Sequence, residues 1–175
     1  MNHKELAHQF MKQYLDKNRS IVLDMTCGNG YDTYFLAEHT KHVYAIDIQK
    51  QAILSTYDKT SMYSNITYYL SDHSLLDYKK IAPFTGAIYN LGYLPRSDKH
   101  VITEVSSTIQ SLDAIWEHLS DFVVIACYLK HDGGYEEYEA VKAYLESKDV
   151  KYQTLKYETE LSPVTFLVDL SNTES

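Results

Sequence analysis

At 175 residues, 45% of them apolar or aromatic, the chain is long enough to bury about 70% of its unfolded surface without disulfide or metal staples. Sixteen Lys and Arg against 24 Asp and Glu give a net charge of −8, which weighs against a broad phosphate-binding surface. No apolar run approaches the roughly 20 residues of a membrane span, the first residues lack a secretory h-region, and no repeat or linker interrupts the chain. A single domain over 1–175 is therefore expected, in the cytoplasm, with Cys27 and Cys127 as free thiols at the ends of buried strands.

Leu6, Phe10, Met11 and Tyr14 recur at helical spacing and predict an amphipathic helix over 3–16. A strand over 20–26 follows and runs into Cys27-Gly28-Asn29-Gly30, with a helix over 31–38 behind it. Two glycines permit a tight turn and let a ligand approach bare backbone. Strand, glycine turn and helix form the layout of a nucleotide site at the carboxyl edge of a parallel sheet. A dinucleotide fold would place a third glycine where Thr33 stands. That shortfall, together with Asp24 four residues before Gly28, points away from NAD and toward S-adenosylmethionine (SAM).

A second strand over 42–47 ends on Asp47, and a helix over 49–62 follows. The strand over 66–71 leads into Asp72-His73, a short helix over 74–80 and a strand over 84–91. Val101, Val105, Ile109, Leu112, Ile115, Trp116 and Leu119 make one continuous helical stripe. The near-uniformly apolar strand over 121–129 reads as covered on both faces. After a Gly133-Gly134 turn, a helix over 135–148 turns Tyr138, Val141 and Leu145 inward, and strands over 151–158 and 164–170 flank a turn at Ser162-Pro163. This alternation predicts an α/β, Rossmann-like, mostly parallel seven-stranded sheet with helices on both faces. The closing hairpin predicts one antiparallel strand in the edge region.

Ligands in such sheets bind outside the carboxyl ends of the strands, near the point where strand order reverses. Asp47, 17 positions after Gly30, is placed to accept from both ribose hydroxyls, and Asp72 from an adenine amino group. The structural alternatives are a helix N-cap for Asp47 and a solvated turn for Asp72. The expected cofactor-binding set is Asp24, Thr26, Gly28, Asn29, Gly30, Asp32, Asp47, Gln49, Asp72 and His73. Strand four ends in Asn90-Leu91-Gly92-Tyr93-Leu94-Pro95, the Asn-x-x-Tyr type of segment with which amino-group methyltransferases grip a target amine; the alternative is a Gly-Pro turn with an incidental Asn. Asn90 would orient the amine, Tyr93 would pack against a base, and His131 or His73 would take the proton. His39 and His42 straddle a helix-to-strand turn with no cysteine nearby, so a zinc site is not expected. Glu136, Glu137 and Glu139 read as the solvated first turns of a helix, where negative charge suits the dipole.

DMTCGNGYDT resembles the DAT-x-GNG-x-DT signature of a bacterial family of small class I SAM-dependent methyltransferases labelled rRNA methylase-like. NLGYLP followed by Lys99 matches that family too, as does the tail Tyr128-Leu-Lys-His131-Asp-Gly133-Gly134 with Glu136 or Glu137. The resemblance covers nearly the whole chain. It implies methylation of the 5-aminomethyl group of the tRNA wobble uridine, the anticodon region as partner, and a homodimer. Two departures stand out: Met25 replaces a small alanine, and YLKHDGG replaces a Pro/Gly-richer Y-x-G-H-P-x-G, which leaves that loop less constrained. Methylation of a small amine or of rRNA, a non-enzymatic SAM- or RNA-binding module, and a NAD-dependent dehydrogenase are the competing readings.

Overall fold

The computed structural model describes residues 1–92, 105–130, 132–156, 159 and 162–171. Seven strands form one sheet: β1 (Ile21–Asp24), β2 (His42–Asp47), β3 (Ile66–Leu70), β4 (Phe84–Leu91), β5 (Leu119–Cys127), β6 (Lys151–Lys156) and β7 (Val164–Asp169). Their order is β3-β2-β1-β4-β5-β7-β6. The first five strands pair in parallel, and β7 runs antiparallel to both β5 and β6. The antiparallel strand thus lies one place in from the edge, which β6 occupies. Strand order reverses between β1 and β4, and the crevice of an open parallel sheet opens at such a switch point.

Among the described residues five helices cover the sheet: α1 (His3–Lys12), α2 (Tyr31–His39), α3 (Lys50–Thr60), α4 (Val105–Trp116) and α5 (Gly134–Ser147). On one face Phe10 and Met11 of α1 and Leu36 and Ala37 of α2 pack against Val22, Val43, Ile88, Phe122 and Val124. On the other, Leu112 and Ile115 of α4 and Val141 and Leu145 of α5 meet Leu23, Ala87, Val123, Ile125 and Phe166. The alternation of these strand residues between faces follows the period of two along each strand. Gly86 is fixed by packing: a Cβ there would sit 2.4 Å from the Phe122 ring.

Several boundaries differ from expectation. A capping box starts α1, with Glu5 N donating to Asn2 Oδ1 at 2.8 Å and Asn2 N to Glu5 Oε1 at 3.1 Å. The helix ends at Lys12 rather than residue 16, because Tyr14 N turns back onto the Met11 carbonyl at 2.9 Å. Leu119 belongs to β5, opposite Phe84, and not to the helical stripe. The short helix over 74–80 contracts to one 3-10 turn, Tyr78–Lys80. Both cysteines are free and buried.

Candidate active site

β1 delivers Asp24, fully buried, to the switch point. Thr33 Oγ1 donates to its Oδ2 at 2.7 Å, while Oδ1 has no hydrogen-bond partner among the described residues. Burial and then the nearby Asp32 push this carboxyl up to about 8, against hydrogen bonds from Thr33 and the Thr26 amide. Thr33 stands where a dinucleotide fold keeps its third glycine, and its hydroxyl is what anchors the first acid.

The glycine loop is held from three sides. Cys27 N donates to the Ile46 carbonyl at 2.9 Å, Gly28 N to Asp47 Oδ2 at 3.0 Å, and Thr56 Oγ1 to the Gly28 carbonyl at 3.1 Å. Gly30 has φ +87°, and a Cβ there would lie 2.8 Å from the Thr56 Cα, so both conformation and space demand glycine. Asn29 Oδ1 accepts from Tyr31 N at 3.3 Å, shaping the entry to α2.

Asp47 is nearly buried at the end of β2. Its Oδ1 accepts from Gln49 N at 3.0 Å, just ahead of α3, so the turn-forming role and a ligand-binding role share one carboxylate. Carboxylate oxygens can accept about four hydrogen bonds, so lone pairs remain for further donors beside these amides. Burial raises its pKa, against the amides of Gln49, Gly28 and Ile48. Beside it Ile48 is 54% exposed, and Leu75, just past Asp72-His73, is 77% exposed. These two apolar side chains at the rim were not singled out from the sequence.

The Asp72–His73 turn is built inward. Asp72 Oδ1 accepts from Ser74 N at 2.9 Å and Ser74 Oγ at 2.8 Å. Burial raises the Asp72 pKa, but the hydrogen bonds from Ser74 and Ser107 and the nearby His73 outweigh it and hold the carboxyl low. His73 is buried, its ring edge-on to Tyr89 at 5.6 Å, and its Nδ1 has no partner among the described residues. Burial holds it below its ordinary pKa, and hence neutral. The Tyr78 hydroxyl donates to the His73 carbonyl and lies 3.9 Å from Met25 Sδ, tying the turn to β1.

Asn90 sits near the end of β4, across the switch point from Asp24. Its backbone N donates to Thr26 Oγ1 at 2.6 Å and its Nδ2 to Asp32 Oδ2 at 2.7 Å. Asp32 Oδ1 is 2.6 Å from His8 Nε2, whose ring stacks on Phe35 at 4.0 Å and 11°. The Asn90 amide nitrogen donates to Asp32, so its carbonyl points away from that carboxyl, and no hydrogen bond among the described residues engages it. Both oxygens of Asp32 are thereby engaged by protein, one on the acceptor side of the crevice. His8 lies on α1 and gave no signal in sequence.

Tyr93 and His131 lie outside the described residues, as does the rest of 93–104. The reading of Glu137 as solvated is overturned: it is 1% exposed and accepts from Thr108 Oγ1 at 2.8 Å, joining α5 to α4. Burial pushes its carboxyl up to about 7, against the Thr108 bond. Among the described residues no cluster of His, Cys, Asp or Glu could hold a metal.

These residues fit an adenosyl ligand. A positive-φ glycine loop offers bare backbone, a buried carboxyl oxygen has no hydrogen-bond partner among the described residues, an acid with spare lone pairs ends β2, and apolar side chains stand exposed beside it.

Comparison with known proteins agrees. The family described as "Putative rRNA methylase" matches residues 43–165. A tRNA (mnm(5)s(2)U34)-methyltransferase, chloroplastic, from Arabidopsis thaliana is 32% identical over 160 residues, which are 80% of this chain and 57% of that relative's length. A "putative methyltransferase" from Streptococcus mutans, solved in complex with SAH, is 32% identical, with a TM-score of 0.86 over 97% of this chain and 98% of that one. A "putative rRNA-methylase" from Clostridium thermocellum is 28% identical, with a TM-score of 0.87 over 97% of both chains.

Proposed function

Because the chain belongs to this rRNA methylase family and is a SAM-dependent methyltransferase domain of the class I fold, we propose that it methylates the 5-aminomethyl nitrogen of the wobble uridine in tRNA. The observation that carries the reading is the Asp32–Asn90 contact, which leaves an amide carbonyl at the switch point as a hydrogen-bond acceptor for an amine. The Arabidopsis relative's name supplies the substrate class, and Tyr93 and His131 keep the roles expected of them, a base-packing ring and a proton acceptor.

The glycine loop, Asp24, Asp47 and the Ile48–Leu75 rim would hold the cofactor, with Thr26, Asn29, Gln49 and Asp72 framing it. Bound SAM would supply a sulfonium methyl for in-line transfer to the amine nitrogen, the N–C bond forming as the C–S bond breaks and SAH leaves as a neutral thioether. The chain's own work lies on the amine. An alkylammonium with a pKa of about 10.4 has no lone pair near neutral pH, so the site must strip a proton. Asn90 Oδ1 receives an N–H and aims the nitrogen; alignment of this kind supplies roughly 7–11 kcal/mol of a barrier. His73, held below its ordinary pKa by burial, has a ring nitrogen with no partner among the described residues and is the group to accept that proton.

The protein acts as one domain, in the cytoplasm and as a homodimer, in this reading. No described helix is long and apolar enough to cross a membrane. A small amine as substrate is the second reading, favoured by the net charge of −8. Incubation with labelled SAM and tRNA bearing unmethylated 5-aminomethyluridine, followed by nucleoside mass spectrometry, separates the two. Label in 5-methylaminomethyluridine is expected; label only in a panel of small amines would establish the alternative.

A further inference from the structure

A stripe of cations interleaved with aromatic rings runs along α1 and α2 and ends at Asn90. Lys4, His8 and Lys12 recur every fourth residue, so they share one side of α1. Facing them, the rings of Tyr31, Phe35 and His39 on α2 form a continuous series with the His8 ring. His8 is 5.8 Å from Tyr31 and 4.0 Å from Phe35, and Phe35 is 4.7 Å from His39. Lys4 Nζ stands 4.8 Å over the Tyr31 ring, and Lys17, which donates to the Ala37 carbonyl at 2.8 Å, lies 6.0 Å from Tyr63. Burial and then Lys12 hold His39 below its ordinary pKa, with Lys17 and His8 adding to the effect and Glu38 opposing it. Tyr31 is nonetheless 47% exposed, and Lys12 and Lys17 are exposed.

On a chain of net charge −8, a local run of cations needs a reason. Cations alone would suit any polyanion. Rings that pass through His8 and Asp32 to the amide at the reaction centre suit an anion that also carries flat bases. We infer that the α1–α2 face is the docking surface for the RNA strand leading to the target nucleotide, with Lys4, Lys12 and Lys17 on its phosphates and Tyr31 beside a base. This deepens the proposed tRNA activity and rests on it. None of the three lysines is part of the reaction centre.

The test is binding and turnover of unmethylated tRNA by K4E/K12E/K17E, by K12E alone, and by a K79E/K80E control on the 3-10 turn of the opposite face. The triple variant is expected to lose at least tenfold in tRNA affinity. Its slope of log affinity against log salt should fall by roughly 0.7–0.9 for each cation removed. SAH affinity and turnover at saturating tRNA stay at wild-type values, and the control matches wild type. K12E, whose side chain is exposed, is expected to show the same changes on a smaller scale if the triple variant does not fold. Wild-type affinity in the triple variant or, failing that, in K12E, or an equal loss in the control, would overturn this surface while tRNA methylation by wild type stands. A wild-type protein that neither binds nor methylates tRNA would overturn the proposed function and this surface together.

Discussion

The two banks of the crevice are built differently. On the β1–β2 bank no side-chain contact given above spans more than 28 residues: Gln49 reaches Asp47 across two, Thr33 reaches Asp24 across nine, Gly28 reaches Asp47 across 19, and Thr56 reaches Gly28 across 28. On the β4 bank Asn90 meets Asp32 across 58 residues and Thr26 across 64, and His8 from the first helix meets Asp32 across 24. One bank is mostly backbone and buried carboxyl groups, and in the proposed function it holds the cofactor. The other is a relay of side chains drawn from α1, α2 and β4, which in the proposed function aims one amide. Binding and chemistry should therefore fail separately.

The largest separation is expected at Asn90. Asn90→Ala removes the amide carbonyl and should lower kcat by roughly 10²–10³, the scale for losing one polar group aimed at the reacting atoms. Calorimetric SAH affinity should remain near wild type. Equal turnover would remove Asn90 from the chemistry and merge the two banks into one binding site.

A second effect concerns pH. The Glu137 carboxyl is raised to about 7 from 4.5. An acid raised by folding contributes its stability below the unfolded value, and that contribution disappears as pH climbs through the folded value. The native state is thus weakened by about 3 kcal/mol above pH 7 relative to pH 4 through this group alone. Glu137→Gln keeps an acceptor for Thr108 without the charge. It should raise Tm at pH 8 and flatten the wild-type difference between about pH 4.5 and 7. A variant whose Tm tracks wild type at every pH would mean that Glu137 does not titrate in that window.

Asp47→Ala belongs to the binding bank. It should weaken SAM by about 1.5–3 kcal/mol, the worth of a hydrogen bond to a charged group, with kcat at saturating SAM little changed. An unaltered calorimetric affinity would move the ribose contact elsewhere. The smallest effect is expected from His8→Ala, at roughly tenfold in kcat, since His8 acts through Asp32. His8→Gln, which can still donate to Asp32, should recover most of that loss. Equal loss in both variants would show that His8 serves packing on Phe35 instead.

The same division explains what was legible in the sequence. Alternating apolar runs marked seven strands along the chain but not their order in the sheet, and the glycine turn with its flanking acids marked the site, because these signals lie within a few residues of one another. The NLGYLP segment drew attention to Asn90, but nothing local reveals that Asp32 fixes its amide or that His8 steadies Asp32. Those partners meet only once α1 and α2 pack on the same face of the sheet. Glu137 misled for a related reason. An acid in the first turn of a helix usually faces water, and only the packing of α5 against α4 and the hydroxyl of Thr108 make it a buried one. The exposed Ile48 and Leu75 were passed over because single apolar residues in loops carry no periodicity.

A crystal structure with SAH tests the arrangement most directly. The ribose hydroxyls should lie on Asp47, the adenosyl group along the Gly28–Gly30 loop, and the sulfur should point at the Asn90 carbonyl. SAH bound away from that loop, or with its sulfur turned from Asn90, would contradict the account.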